Sequence, residues 1–374
     1  FSISSDGATL QFTTPSEGYL LHTDYTGDTG KLKVLTTVKF YSMKRIGKFT
    51  LFVLACSIAF ASCSRYKPTD STTSGMTSIM CDESFANIME QEVDVFEFTY
   101  PKASVIPFYV PEDVAIDSLV EGKTNFIVTS HELSKETTEY LNSINRHVKS
   151  QKIAVDAIAI IANNANPIEE LSKSELRDIL LGKTKDWGEI SPNKSGEIMI
   201  VFDNQGSSTV KYMKDSLTNG ADFGKNVFAQ KTNKEVFEAV KKRKNALGVI
   251  GVTWLNSDLD GTTTNEQTIK ERVEELNKEE VTELAGDEKN KIVKDIKVIS
   301  IRRDDNPVAY KPYQYYIYSG EYPLYRSIYA ITTAPGGSLS HGFFTFLTGF
   351  VSQKIILGTG ILPANIPLRT VELY

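Results

Sequence analysis

The chain has 374 residues, 41% of them hydrophobic, 10% aromatic and 24% charged, with a formal net charge of -6. That length and apolar content suffice for a sizeable core in one or two domains, and the acidic balance excludes the general positive field on which nucleic-acid binders depend. Three cysteines and four scattered histidines (His22, His131, His147 and His341) offer neither a disulfide framework nor a metal-ligand spacing, so no metal or cofactor is expected.

Residues 43–62 hold a short basic stretch from Met43 to Lys48, then an apolar run over 49–60 that is too short to span a bilayer as an ordinary helix. Small residues Ala61 and Ser62 follow, before Cys63. This is the pattern of a secretory signal. Its ending resembles a bacterial lipobox, which implies lipidation of Cys63 as the mature N-terminus, although Phe60 stands where that motif prefers leucine. The resemblance places the protein outside the cytoplasm, on the periplasmic face of a bacterial membrane and held there by lipid. Residues 1–42 precede the signal and begin without methionine, so they are expected to be upstream sequence. The alternative is an extra β-rich segment, with strand-like stretches at 8–12 and 33–38. Residues 63–76, rich in Ser, Thr, Pro and Lys, read as a tether. Cys81 alone remains in the body and cannot form an internal disulfide.

The body then alternates strand and helix. Strands are predicted at 77–80, 105–109 and 126–129, with helices at 84–96 and 114–121 between them, a βαβαβ order that implies a parallel sheet. A long apolar strand over 152–162 follows. The helix over 172–181 opens with Ser172 and has Glu175 three positions on, a capping box. Strands at 198–202, 247–252 and 296–301, a helix at 208–217, and a charged, aromatic-free insertion at 265–291 complete the middle of the chain. The last residues supply a strand at 328–332 and a helix at 342–353.

Five blocks in this order resemble the phosphate-binding proteins of ABC importers. They are the helix and turn from Leu176 to Trp187, the loop Gln205-Gly206-Ser207-Ser208-Thr209, and the strand Leu247-Gly248-Val249-Ile250-Gly251-Val252. The others are the return strand from Tyr322 to Tyr329, and the closing helix with its Gly360-Ile361-Leu362-Pro363 tail. The resemblance implies a two-lobed periplasmic binding protein type II-like α/β fold, with mixed sheets flanked by helices and two hinge-crossing strands. Lobe I would comprise 77–151 and 326–374, and lobe II 152–325. It further implies a small oxyanion, most simply phosphate, clamped between the lobes of a monomer that delivers it to an ABC permease.

An oxyanion needs donors already aimed at it, and helix N-termini provide unpaired N–H groups at the positive end of the dipole. The candidate ligand-binding residues are Ser84 and Phe85 before the first helix, Ser130 after the third strand, and Gly206, Ser207, Ser208 and Thr209 before the helix at 208–217. Three departures bear on the ligand. Asp203 stands where the family carries an arginine, Ser130 where it carries an aspartate, and Tyr109-Val110-Pro111-Glu112-Asp113 replaces its Gly-Ser-rich second loop. A divalent anion facing Asp203 would be repelled unless a cation compensates, and Lys211 and His131 are the candidates. No G-x-S-x-G elbow and no base beside Ser207 point to catalysis, so an enzyme is not expected. The competing reading is a sensor or adhesin-like lipoprotein on the same scaffold with another ligand.

Overall fold

The computed structural model describes residues 2–3, 9–14, 17–22, 70–255, 266–276 and 295–365. The chain divides into two compact units, Phe1–Lys67 and Pro68–Tyr374. The first carries an antiparallel three-stranded sheet of β1 (Ser2–Ile3), β2 (Thr9–Thr14) and β3 (Glu17–His22), so the strand expected at 8–12 exists. The strand expected at 33–38, the signal segment, Cys63 and the tether as far as 69 lie outside the described residues.

The second unit opens with β4 (Ser74–Asp82), a 3-10 turn (Glu83–Phe85), α1 (Ala86–Thr99), β5 (Lys102–Val110), α2 (Glu112–Val120) and β6 (Phe126–Thr129). β4 pairs in parallel with both β5 and β6, the topology that the βαβαβ reading requires. α1 forms because Ile88, Met89, Val93 and Phe96 recur on one face, and all four are buried. β4 begins at Ser74, inside the stretch expected as tether. The nine-residue ladder that β5 offers pairs Ser74, Gly75 and Met76 with Lys102, Ala103 and Ser104. Backbone pairing there overrides a polar composition.

α3 (Lys135–Ser143) follows, capped by the Ser134 side chain, which accepts from the Thr137 N–H. Next come β7 (Lys149–Asn163), β8 (Glu170–Ser172), α4 (Lys173–Leu180), β9 (Met199–Phe202), α5 (Ser208–Leu217), β10 (Val227–Ala229), α6 (Asn233–Lys242) and β11 (Ala246–Gly251). The predicted capping box of α4 is formed: Ser172 Oγ accepts from the Glu175 N–H, and the Glu175 carboxylate accepts from the Ser172 N–H. α7 (Glu266–Leu276) lies in the charged insertion, whose residues 277–291 fall outside the described set; its Leu276 carbonyl accepts from Lys354 Nζ at 2.8 Å.

The chain closes with β12 (Ile296–Arg302), β13 (Ala309–Tyr310), α8 (Gln314–Tyr318), β14 (Tyr325–Thr332), α9 (Leu339–Leu347), α10 (Phe350–Gly358) and β15 (Leu362–Pro363). The single helix expected at 342–353 is therefore two. Gly349 adopts an extended conformation (ψ 165°) that ends one helix and serves as the N-cap of the next.

The path through the main sheet is β10-β9-β11-β7-β14-β6-β4-β5. β7 is its spine. Lys149–Ala157 pairs with β14, and Ile158–Ala162 pairs with β11. Residues 157–162 are wholly buried, as expected of a strand covered on both faces. The two-lobed α/β architecture follows from this one strand serving both halves of the sheet.

Candidate functional site: two turns meeting over buried carboxylates

β9 ends in the buried Phe202, and the chain turns through Asp203, Asn204, Gln205 and Gly206 into α5. Ser207 caps the helix, accepting from the Val210 N–H. A Cβ at Gly206 would be a tight fit, 3.0 Å from the Pro111 side chain and 3.3 Å from an Asp113 carboxylate oxygen. The loop thus presses against the segment leading into α2. Opposite, the 3-10 turn after β4 starts where Asp82 accepts from the Ser84 N–H.

The two turns meet. Ser84 Oγ lies 3.1 Å from Thr209 Oγ1 and donates to Asp203 Oδ2 at 3.3 Å. Ser207 Oγ donates to Asp203 Oδ1 at 2.5 Å. Ser208 donates from its N–H to Asp82 Oδ2 at 3.0 Å and from its hydroxyl to Asp82 Oδ1 at 2.8 Å. Asn233 Nδ2, at the start of α6, donates to Asp203 Oδ2, and Trp254 Nε1 donates to the Ser84 carbonyl. Ser84, Ser208, Thr209, Asp82 and Asp203 are wholly buried.

The cation of this cluster comes from β14. Arg326 Nε and Nη2 donate to Asp156 Oδ2 on β7 at 3.2 and 3.1 Å, while Nη1 donates to Ser208 Oγ at 2.8 Å. Its guanidinium stacks 4.7 Å above the Phe85 ring. Burial pushes the Asp203 carboxyl up to about 7, with the Ser207 hydrogen bond pulling against it and the neighbouring Asp82 adding to it. Burial likewise raises Asp82 and Asp156, and Arg326 opposes the rise in both.

Ser84, Ser207, Ser208 and Thr209 are brought together as predicted, with Gly206 at their edge and Phe85 serving as the floor under Arg326. The other predicted residues are directed elsewhere. Ser130 donates from both its N–H and its hydroxyl to Glu112 Oε2 at 2.6 Å. His131 Nδ1 lies 3.1 Å and Lys211 Nζ 3.5 Å from Glu112 Oε1. Burial alone would raise the Glu112 carboxyl; the hydrogen bonds from His131 and Ser130 outweigh it and hold the group at about 2. The expectation that Lys211 and His131 compensate Asp203 is therefore corrected: both side chains lie against the buried Glu112 instead.

Arg326, Asp156 and Asp82 were missed as members of the site. Period-two reading of β14 carries a signal, because Arg326, Ile328 and Ala330 share its buried face. A cation on that face demands a carboxylate, and Asp156 is the one charged residue in the otherwise apolar stretch from Ile153 to Ala162.

Residues 67–352 match the family of the PBP superfamily domain. The chain belongs to that superfamily. Among curated relatives, a phosphate-binding protein PstS of Pseudomonas aeruginosa is 21% identical over 318 residues, covering 81% of this chain and 86% of that one. "Phosphate-binding protein PstS 2" of Streptococcus agalactiae is 28% identical over 119 residues, a match that takes in 39% of its length and 32% of this chain. Solved structures show the same PBP fold. An ABC-type phosphate transport receptor from Vibrio cholerae superposes with a TM-score of 0.54 at 19% identity, covering 77% of this chain and all of that one. A Clostridium perfringens crystal structure with bound phosphate gives 0.58 at 17% identity, covering 78% and 100%.

Proposed function

We propose that this chain is an extracytoplasmic solute-binding lipoprotein that captures a small oxyanion of the phosphate type and delivers it to an ABC permease. The carrying observation is the meeting of two strand-to-helix turns, Ser84 against Thr209, with the N-terminus of α5 and the Arg326 guanidinium converging on the same spot. Relatives named as phosphate-binding proteins support the ligand class. Lobe I is taken as 77–151 with 326–374 and lobe II as 152–325, so that Ser84 and Thr209 belong to opposite lobes. Ligand stabilises closure because only the closed form lets both lobes contact it. Cys63 carries the lipid that holds the monomer beside its permease; bacterial lipidation adds more than one acyl chain, enough for stable attachment.

Titration calorimetry of the purified chain with inorganic phosphate tests this, and a micromolar or tighter dissociation constant, about -8 kcal/mol or better, is expected. The paired change Ser207→Ala with Thr209→Ala removes two donors to a charged ligand and is expected to weaken binding by about 10- to 100-fold. Loss of the Ser207 cap also costs about 1 kcal/mol of stability, so melting curves accompany the titration. An unchanged dissociation constant in the double variant would remove the α5 turn from the binding site.

A further inference from the structure

An oxyanion seated between Ser84 and Thr209 would draw on the Ser84 and Ser208 N–H groups and on the Ser207 and Ser208 hydroxyls. Each of these already donates to a carboxylate of the chain itself: Ser84 N–H and both Ser208 donors to Asp82, and Ser207 to Asp203. Asp82 thus occupies the N-terminus of the ten-residue helix α5 as an external anion would. The charged groups acting on this pair come from every element packed around it. Glu83 from the 3-10 turn and Arg326 from β14 face Asp203, Arg326 and Glu112 from α2 act on Asp82, and Glu235 from α6 acts on Glu83. Arg326 is itself bound to Asp156. One guanidinium serving three buried carboxylates leaves no positive charge in surplus for an incoming dianion.

A second observation is independent of the helix. The Asn233 side-chain oxygen and the Thr253 hydroxyl are buried without a hydrogen-bond partner. Asn233 holds Asp203 through its other amide atom, and Thr253 immediately precedes Trp254, which holds the Ser84 carbonyl. Buried polar groups of this kind call for a partner, and a ligand bearing hydrogens on its oxygens supplies donors that a bare dianion lacks.

We propose that Asp82 and Asp203 form a built-in competitor for the oxyanion, so that the ligand is a singly charged, hydrogen-bearing oxyanion that enters by displacing a carboxylate and with uptake of a proton by the pair. This rests on the oxyanion reading above. The proton comes from solvent and adds to a carboxylate oxygen; the resulting carboxylic acid O–H turns from acceptor to donor and can hydrogen-bond the ligand. Asp203, already raised by burial to about 7, is the member placed to take it.

The test is phosphate titration of the full chain at pH 5.5, 6.5, 7.5 and 8.5, each in two buffers of different ionisation enthalpy, with wild type, Asp203→Asn and Asp82→Asn. Wild type is expected to take up close to one proton per phosphate above pH 7.5 beyond that needed to form the monoanion, two in all, so that affinity for total phosphate falls by up to about 100-fold per pH unit there, against about tenfold for monoanion selection alone. Asp203→Asn is expected to bind at least tenfold more tightly at pH 8.5, with reduced uptake. A wild-type profile falling by no more than about tenfold per pH unit, or equal affinities of wild type and Asp203→Asn at pH 8.5, would overturn the inference and leave phosphate capture standing. No phosphate binding by any of the three proteins at any pH would remove the oxyanion reading and this inference with it. The wild-type proton count stands alone should a variant fail to fold.

Discussion

Replacing Arg326 with glutamine is expected to lower the unfolding free energy by about 3–5 kcal/mol and to abolish oxyanion capture. Arg326 is 4% exposed and Asp156 wholly buried, so their pairing lies out of reach of water and of salt screening. Removing the cation strands Asp156 without its partner. It also takes away the charge that opposes the rise of Asp82 and Asp203. Urea unfolding followed by circular dichroism reads the first effect and phosphate calorimetry the second. Arg326→Lys should recover only part of either, because an ammonium cannot reach Asp156 and Ser208 together with the guanidinium's fixed fork. A glutamine variant as stable as wild type would show that Asp156 is content as a neutral acid, and the electrostatic description of the site would need redrawing.

Trp187→Ala should cost a similar amount, about 3–5 kcal/mol, by a different route and with a different signature. Trp187 is wholly buried in the turn after α4 and begins a 3-10 turn capped by Asp186. Deleting its indole leaves a void in the main hydrophobic core cluster, of which Trp187 is one of the largest wholly buried members. Its Nε1 has no hydrogen-bond partner, so the ring contributes through packing, and Trp187→Phe should lose distinctly less than Trp187→Ala. No hydrogen bond joins Trp187 to the Asp203 cluster, and folded alanine variant should therefore bind phosphate within about twofold of wild type. Loss of affinity without loss of stability would contradict this assignment.

The fold was legible where local signals agreed. The third strand of the βαβαβ segment, the helix from Ser208 to Leu217 and the Ser172–Glu175 capping box were all readable, because periodicity and capping chemistry act within a few residues. The early start of β4 was not, since it depends on the length of ladder that β5 offers. Neither was the break at Gly349, which interrupts an otherwise continuous apolar pattern. Within the site, the hydroxyl residues of both turns could be named from the chain. The charge balance could not. Arg326 finds Asp156 across 170 positions and Ser208 finds Asp82 across 126, and only a period-two reading of two separate strands would have raised the first pair. Lys211 and His131 were assigned to the wrong carboxylate because Glu112, a residue type that is rarely buried, is hidden by its neighbours.

The fifteen residues of β7 have a consequence for how the protein comes apart. Because a single continuous strand is laddered to β14 along its first part and to β11 and β12 along the remainder, neither half of the sheet can melt without stripping the other of its central rung. The unit from Pro68 onward should therefore denature in one concerted step, with calorimetric and van't Hoff enthalpies that agree, despite carrying a hinge.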